Sequence, residues 1–431
     1  MNAHQKNSPL RILCISPLFA PAVSAEAFCA SKLVQCLNDN GVSITVLSSS
    51  NLWATETDAS PLWQSLRSMT IDVPQLLQAN RMSSIKSAIR FQTIGYARWI
   101  SAAIERVKQL HVLNRFDLVY SRSLPSSAHI VGFWCTRQMN LPWIANINDP
   151  WEKSFNPPPL ATASSSALGR HSHLFWLRRT LRKADVITYP CHRLHQFHRA
   201  LAHVDHPAEI IPHIGYVAKR TEQSDEDEFR IVHAGDINGD SGRSLKTLLL
   251  GLKEFLRSVP EARLHTKLVI VGRKQSTNEE LIRAMDLVQY IRHVGQVSYE
   301  ESLRHIAGAS VCVLIEAPVE EGIFFPSKLA DYSAARKPVL AFSPARGFLA
   351  DLAGSGDVIR VGYDAAATHT ALAMLYQHYK SGTLRTCSPS ADFANQLRGD
   401  CVTTKFLDVC NAVIARRRVD VRVANITSRI C

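Results

Sequence analysis

The sequence predicts an α/β protein with two domains, each built on a doubly wound parallel sheet. Residues 11–48 read strand, loop, helix, glycine, strand, which is how such a sheet opens. The same kind of opening restarts at Phe229, after a stretch at 219–228, KRTEQSDEDE, that holds no apolar residue and reads as a linker. A length of 431 residues with 46% apolar content is enough for two cores.

In the first half, Arg11 to Ser16 (RILCIS) is a buried strand, and Pro17 to Ser24 is the loop at its carboxyl end. The two prolines at 17 and 21 break the apolar run 10–23, which therefore reads as strand and loop and not as a secretion signal. Phe28, Leu33, Val34 and Leu37 give the helix Ala25 to Asn40 its apolar face, Gly41 closes it, and Val42 to Ser48 is the second strand. Residues 52–115 are less regular, with helical character in 85–113 and no motif. Phe116 to Ser121 is the next strand. Arg122 follows at the sheet edge where ligands bind in α/β folds, and on sequence it reads as an ordinary loop arginine. Leu141 to Asn148 is a strand ending in Asp149-Pro150-Trp151. Asp149 there either orients a ligand hydroxyl or makes an Asx turn held by Pro150. A basic helix ends at 178–184, and Asp185 to Tyr189 is the following strand.

The second half opens with the strand Phe229 to Ala234, then Gly235-Asp236 and a loop to Gly242-Arg243. Leu245, Leu248, Leu249, Leu252, Phe255 and Leu256 mark the core face of a helix over 244–258. Arg243 stands just ahead of it, where guanidinium and helix dipole can both face an anion. Lys267 to Gly272 is a strand with Arg273 at its end, and Ser298 three residues before Glu301 signs the start of a helix. Val311 to Ile315 is a buried strand, followed by a loop carrying Glu316, Glu320 and Glu321. Pro326 suits the first turn of the next helix, on which Lys328 and Asp331 share a face, and a further strand starts at Val339. A last strand is expected over 357–361, with helices from Ala365 and Asp400.

A helix N-terminus, a cation and several carboxylates thus fall in one short region. They match a nucleotide-diphospho-sugar, with N–H groups and positive charge for the diphosphate and carboxylates for ribose and sugar hydroxyls. The same residues also read as a solvated charged surface.

The formal charge of +12 suggests an anionic partner: a membrane surface, a phosphorylated substrate or nucleic acid. No Lys/Arg run interleaved with aromatics is present, so no nucleic-acid partner is expected. Ten cysteines without a Cys-x-x-Cys or paired Cys/His spacing read as a reduced, cytoplasmic protein without structural zinc. Asp225-Glu226-Asp227 spells Asp-x-Asp, but in a polar run and not at the end of a buried strand, so no metal site is read from it. No run of about 18 apolar residues exists to span a membrane.

The stretch 311–341 resembles the donor-site signature of GT-B glycosyltransferases of the GT4-type (glycosyl transferases group 1) superfamily: a Glu, a Gly-containing loop, a Pro, a second Glu on a helix, then Gly-Lys-Pro-Val. Counting back from Lys337-Pro338-Val339, Asp331 falls at the second Glu, while Glu321-Gly322 meets the first only after a two-residue shift. A variant reading Pro-x-Lys-x-x-(Glu/Asp)-Tyr fits in register at Pro326, Lys328, Asp331 and Tyr332. Ser24-Ala25 stand where these proteins commonly have Gly-Gly. The segment ending Ile211-Pro212-His213-Ile214-Gly215 resembles their Ile-Pro-Asn-Gly turn, and His293 to Gln296 their segment bordering the base. Similar Asp-Pro-Trp turns occur in GT4-like members that also carry the Tyr-Ser-Arg strand.

The resemblance implies a GT-B fold with two Rossmann-like domains facing a cleft: an acceptor domain at 1–218, the linker 219–228, a nucleotide-sugar domain at 229–399, and a helix at 400–431 crossing back to the first domain. It implies a glycosyltransferase, retaining and needing no metal cofactor, that moves sugar from a nucleotide-diphospho-sugar to a polyprenyl-linked or saccharide acceptor in cell-surface polysaccharide or lipopolysaccharide assembly. Glu321 and Asp149 are its implied catalytic carboxylates, and Gly235, Arg243, Arg273, Lys328 and Asp331 its donor ligands. A cytoplasmic protein peripheral to an anionic inner membrane face fits the charge. The shifted Glu321 and missing Gly-Gly leave two other readings open, a non-catalytic scaffold or regulator on the same fold and a nucleotide-sugar 2-epimerase.

Overall fold

The computed structural model describes residues 9–49, 56–58, 60–74, 86, 88–93, 96–161, 167–218, 228–237 and 242–430. The chain divides into two compact units, the first comprising Met1–Ser154, Ala163–Ile211 and Val402–Cys431, the second Phe155–Thr162 and Pro212–Cys401. The linker expected at 219–228 lies, except for Glu228, outside the described residues.

The first unit is built on β1 (Arg11–Ile15), β2 (Ser43–Ser48), β3 (Thr70–Asp72), β4 (Leu118–Arg122), β5 (Trp143–Asn146), β6 (Val186–Tyr189) and β7 (Ala208–Ile210). They form one sheet in the order β3-β2-β1-β4-β5-β6-β7, and every pairing is parallel. Strands covered on both faces by helices need apolar side chains on both, which is why they read as short continuous runs of Ile, Val and Leu. The helix Ala25–Asp39 is capped by the Ser24 hydroxyl, which accepts from the Ala27 N–H, and Gly41 turns the chain at φ +77° into β2. The helix Ser127–Met139 comes close to β5 at Gly132, where a Cβ would stand 2.6 Å from the Trp143 Nε1. The sequence reading did not place that helix, nor the short strands β3 and β7, and it drew β5 four residues too long. Residues of the long helix Gly399–Ile430 close this unit: Phe406 packs on Tyr120 (4.7 Å between rings) and Arg417 pairs with Asp185 at 2.8 Å.

The second unit holds β8 (Phe229–Ala234), β9 (Thr266–Val271), β10 (Ile291–Gly295), β11 (Val311–Ile315), β12 (Val339–Phe342) and β13 (Ile359–Arg360), ordered β10-β9-β8-β11-β12-β13, again all parallel. Leu248, Leu249, Leu252, Phe255 and Leu256 of the helix Lys246–Ser258 enter its core, together with Leu372, Leu375 and Tyr376 of the helix Ala365–Lys380. The Ser298 hydroxyl caps the helix Tyr299–Ala307 by accepting from the Glu301 N–H (3.2 Å), as the spacing predicts. Pro326 sits at the N-cap of the helix Ser327–Ala334, one position before the expected first turn.

In both sheets the first strand lies beside the fourth, β1 next to β4 and β8 next to β11. The helical connections leave in opposite directions there, and a crevice opens beyond the strands' carboxyl ends. In open α/β sheets such crevices are where ligands bind.

Candidate functional site

At the switch point of the second unit, β8 runs into Gly235, whose N–H donates to the Val271 carbonyl (2.6 Å) at φ +122°. A Cβ on Gly235 would lie 2.1 Å from the Lys328 Nζ, so the ammonium packs directly against this backbone. A Cβ on Gly272 would stand 2.6 Å from the Gly235 carbonyl oxygen, which shows the two strand-end loops nested together. Lys328 belongs to the first turn of the helix Ser327–Ala334, where no side chain caps the N-terminus, so the first N–H groups are left to another acceptor. Lys328 keeps a partly exposed surface, yet burial and the neighbouring Arg243 push its ammonium down to about 7, with Asp236 opposing. The Arg243 Nε is buried and has no hydrogen-bond partner among the described residues. His233, 1% exposed, donates its Nδ1–H to the Val313 carbonyl (3.0 Å). Burial and Lys328 push its pKa well below the usual range, so it adds no positive charge.

Two cations that form no salt bridge among the described residues, at a switch point beside an uncapped helix N-terminus, make an arrangement suited to phosphate oxygens. Carboxylates stand beside them. Glu316, immediately after β11, is 6% exposed; its Oε2 has no partner among the described residues, and a Cβ on Gly322 would meet that oxygen at 3.0 Å. Burial pushes the Glu316 carboxyl up to about 8, Arg243 pulling the other way. Glu320 is exposed and pairs with Arg346 at 2.5 Å, and Glu321 is half-buried beside Gly322, whose N–H donates to the Arg346 carbonyl.

The other expected ligands are placed differently. Asp331 is 4% exposed, and its Oδ1 accepts from the Tyr299 hydroxyl and the Tyr216 N–H, each at 2.9 Å. It therefore ties the Tyr216 backbone and the helix Tyr299–Ala307 to the helix Ser327–Ala334. Arg273 is exposed; its N–H donates to the Asp236 Oδ1 (2.8 Å) and its Nε to the Gln296 Oε1 (3.0 Å).

At the switch point of the first unit, Arg122 is the last residue of β4 and is 4% exposed, not a loop arginine. Its Nε and Nη2 donate to the Glu26 Oε1 (3.1 and 3.0 Å) and its Nη1 to the Tyr120 hydroxyl (2.9 Å). The Asn148 amide donates to the other Glu26 oxygen (2.6 Å), so Glu26 holds the residue next to Asp149. Burial pushes the Glu26 carboxyl up to about 7 against Arg122 and Asn148, and the charge of Asp149 adds to the rise. Trp151 packs on His129 (5.2 Å), whose Nδ1 meets the Ser121 hydroxyl at 2.9 Å.

Of the expected donor residues, then, Gly235, Arg243 and Lys328 come together; Glu321 lies on the loop that follows Glu316, and Asp149 belongs to the first unit. The sequence reading named Glu316 only as part of an acidic loop and passed over Glu26. The signal for Glu316 was its position, the first residue past a buried strand at a ligand-bearing edge. Glu26, inside the first turn of the helix Ala25–Asp39, carries no such mark. Among the described residues no group of three or more His, Cys, Asp or Glu side chains is placed to hold a metal ion. Nor is any described helix long and apolar enough to cross a membrane.

Residues 27–213 match the family described as Glycosyl transferase 4-like domain, and residues 228–378 match Glycosyl transferases group 1. Among solved structures, sucrose-phosphate synthase from Thermosynechococcus elongatus superposes with a TM-score of 0.67 at 17% identity, covering 94% of this chain and 100% of its own. HepE from Anabaena, in complex with UDP and glucose, gives 0.62 at 12%, covering 94% and 100%. A glycosyltransferase from Rickettsia africae gives 0.62 at 12%, covering 94% and 99%. At these identities the likeness is one of fold. No curated protein matches the chain in sequence.

Proposed function

From the premise that this chain belongs to the group 1, GT4-like glycosyltransferases of GT-B fold, we propose that its second unit holds a nucleotide-diphospho-sugar at the β8/β11 switch point and that its first unit receives the acceptor. The observation that carries the reading is the Lys328 ammonium packed on Gly235 beside Arg243, two cations that form no salt bridge among the described residues, at an uncapped helix start. The donor is taken to be a uridine nucleotide, because the similarly folded HepE is in complex with UDP. The acceptor is a polyprenyl-linked or saccharide hydroxyl of a cell-surface polysaccharide, reached by a protein peripheral to an anionic membrane face. Transfer retains the anomeric configuration. Lys328, Arg243 and the helix N-terminus neutralise the leaving diphosphate, so the reading invokes no metal.

Calorimetry with UDP and with uridine tests the site. Arg243→Ala is expected to weaken UDP by about 1.5 to 3 kcal/mol, the range for a hydrogen bond to a charged group, and to leave uridine unchanged. Equal losses for both ligands would make Arg243 structural.

The carboxylates divide the sugar end. Glu316, buried with an unsatisfied oxygen, is suited to a sugar hydroxyl that arrives with the donor. Glu321, half-buried on the same loop, is suited to the charge that develops at the anomeric carbon, and Asp149 to the acceptor hydroxyl. Glu316→Gln should raise the donor KM more than it lowers kcat, because a hydroxyl contact is made in ground and transition states alike; Glu321→Gln should fall mainly on kcat. Wild-type kinetics for both variants would remove the sugar from this loop, and epimerised nucleotide sugar formed without acceptor would replace transfer by epimerisation.

A further inference from the structure

At the opposite, amino-terminal edge of the second unit's sheet lies a cavity of about 540 Å³. Its walls come from the residues just before three strands, Glu228 ahead of β8, Ser310 ahead of β11 and Pro338 ahead of β12, and from the turn after the helix Ser327–Ala334. Arg336, Lys337 and Arg385 bring three cationic side chains to it. The carboxylate in the wall, Glu228, is already bound to Arg230 at 2.7 Å. Tyr379 and Leu384 add an apolar side.

The backbone singles out Arg336. It sits at φ +54°, just past the end of the helix, where glycine is preferred because a Cβ crowds the following carbonyl oxygen. Its Nε is buried and has no partner among the described residues. Lys337, beside it, is half-buried, and burial pushes its ammonium down. An arginine with an unsatisfied buried N–H, beside a cavity with two further cations, is a costly arrangement whose charge a bound anion would balance. Three cations suit a dianion, and the volume admits a small organic body on the apolar side as well as the phosphate.

We propose that this cavity is a second ligand site, for a small phosphate monoester, held by Arg336, Lys337 and Arg385 at the far end of the helix whose first turn carries Lys328. The assignment stands apart from the transferase reading, since none of these residues belongs to the β8/β11 switch point.

Calorimetric titration of the full chain with glycerol 3-phosphate, with and without saturating UDP, tests it. Wild type should bind the monoester equally in both conditions, and Lys328→Met should bind it as wild type does. Arg336→Gly and Arg385→Ala should each weaken it about tenfold or more. Arg336→Gly relieves the backbone and should unfold no earlier than wild type, so its loss of binding cannot be blamed on misfolding. Competition by UDP, affinity unchanged in Arg336→Gly, or no binding by wild type would each overturn the proposal. So would binding that emerges only after Asp225→Asn, Glu226→Gln and Asp227→Asn together, which would mean that the chain's own acidic stretch serves these cations.

Discussion

Lys328→Met is expected to lower kcat/KM for sugar transfer by about 10²- to 10³-fold, the cost of removing one preorganised donor from a developing charge. Methionine matches the lysine stem in length and is apolar, so the fold should not suffer. In the unliganded protein the substitution removes a buried charge that burial and Arg243 already push down to about 7. The pH dependence separates this role from a structural one. The free protein loses the Lys328 proton as pH rises past about 7, while a diphosphate bound beside the ammonium is expected to restore it. UDP affinity should therefore fall above pH 7 by up to about tenfold per unit, with close to one proton taken up per UDP at pH 8. Stability has the opposite slope. The unfolded lysine holds its proton up to its ordinary value of 10.5, so the unfolded chain binds more protons between about 7 and 10.5, and the unliganded fold gains stability as pH rises through that window. In Lys328→Met both slopes should be missing. Calorimetry in buffers of different ionisation enthalpy measures the proton count, and an unchanged count in the variant would take the diphosphate away from Lys328.

Gly215→Ala should destabilise the second unit by about 3 kcal/mol, the upper end of the usual cost of overpacking, and weaken nucleotide binding with it. A Cβ there would stand 2.2 Å from the Ala330 carbonyl oxygen and 2.7 Å from the Ala334 Cβ, against the backbone of the helix that carries Lys328. A flexible side chain can move aside, but a helix carbonyl cannot without taking its helix along. The displacement also breaks the bond from the Tyr216 N–H to the Asp331 Oδ1 and leaves a buried carboxylate oxygen short of a donor. Gly354→Ala is the control, because nothing lies within 4 Å of a Cβ at that position. Urea denaturation of both variants decides it: equal midpoints would mean that the 214–216 turn does not dock as described.

These two residues show unequal legibility. Lys328 was readable because its signal is local: a proline opening a helix, a lysine in its first turn and Asp331 three residues on. Gly215 was readable only as one letter of a familiar turn, and its reason, the Ala330 carbonyl, lies 115 positions away at the level of its neighbour Tyr216 and Asp331.

The sequence by itself determined what repeats within a few residues. The short apolar runs became parallel strands, the leucine face of 244–258 became the core of the second unit, Gly41 ended its helix at positive φ and Ser298 capped the next one. Periodicity and capping are written in windows of about ten residues, and a chain read in order displays them. Only the tertiary structure decided which polar groups are buried and with whom. Arg122 meets Glu26 across 96 positions, turning a loop arginine into a buried hub, and Glu316 is buried within the influence of Arg243 while Glu320 reaches out to Arg346. Desolvation depends on everything packed around a group, and sequence spacing carries no record of what the fold brings there.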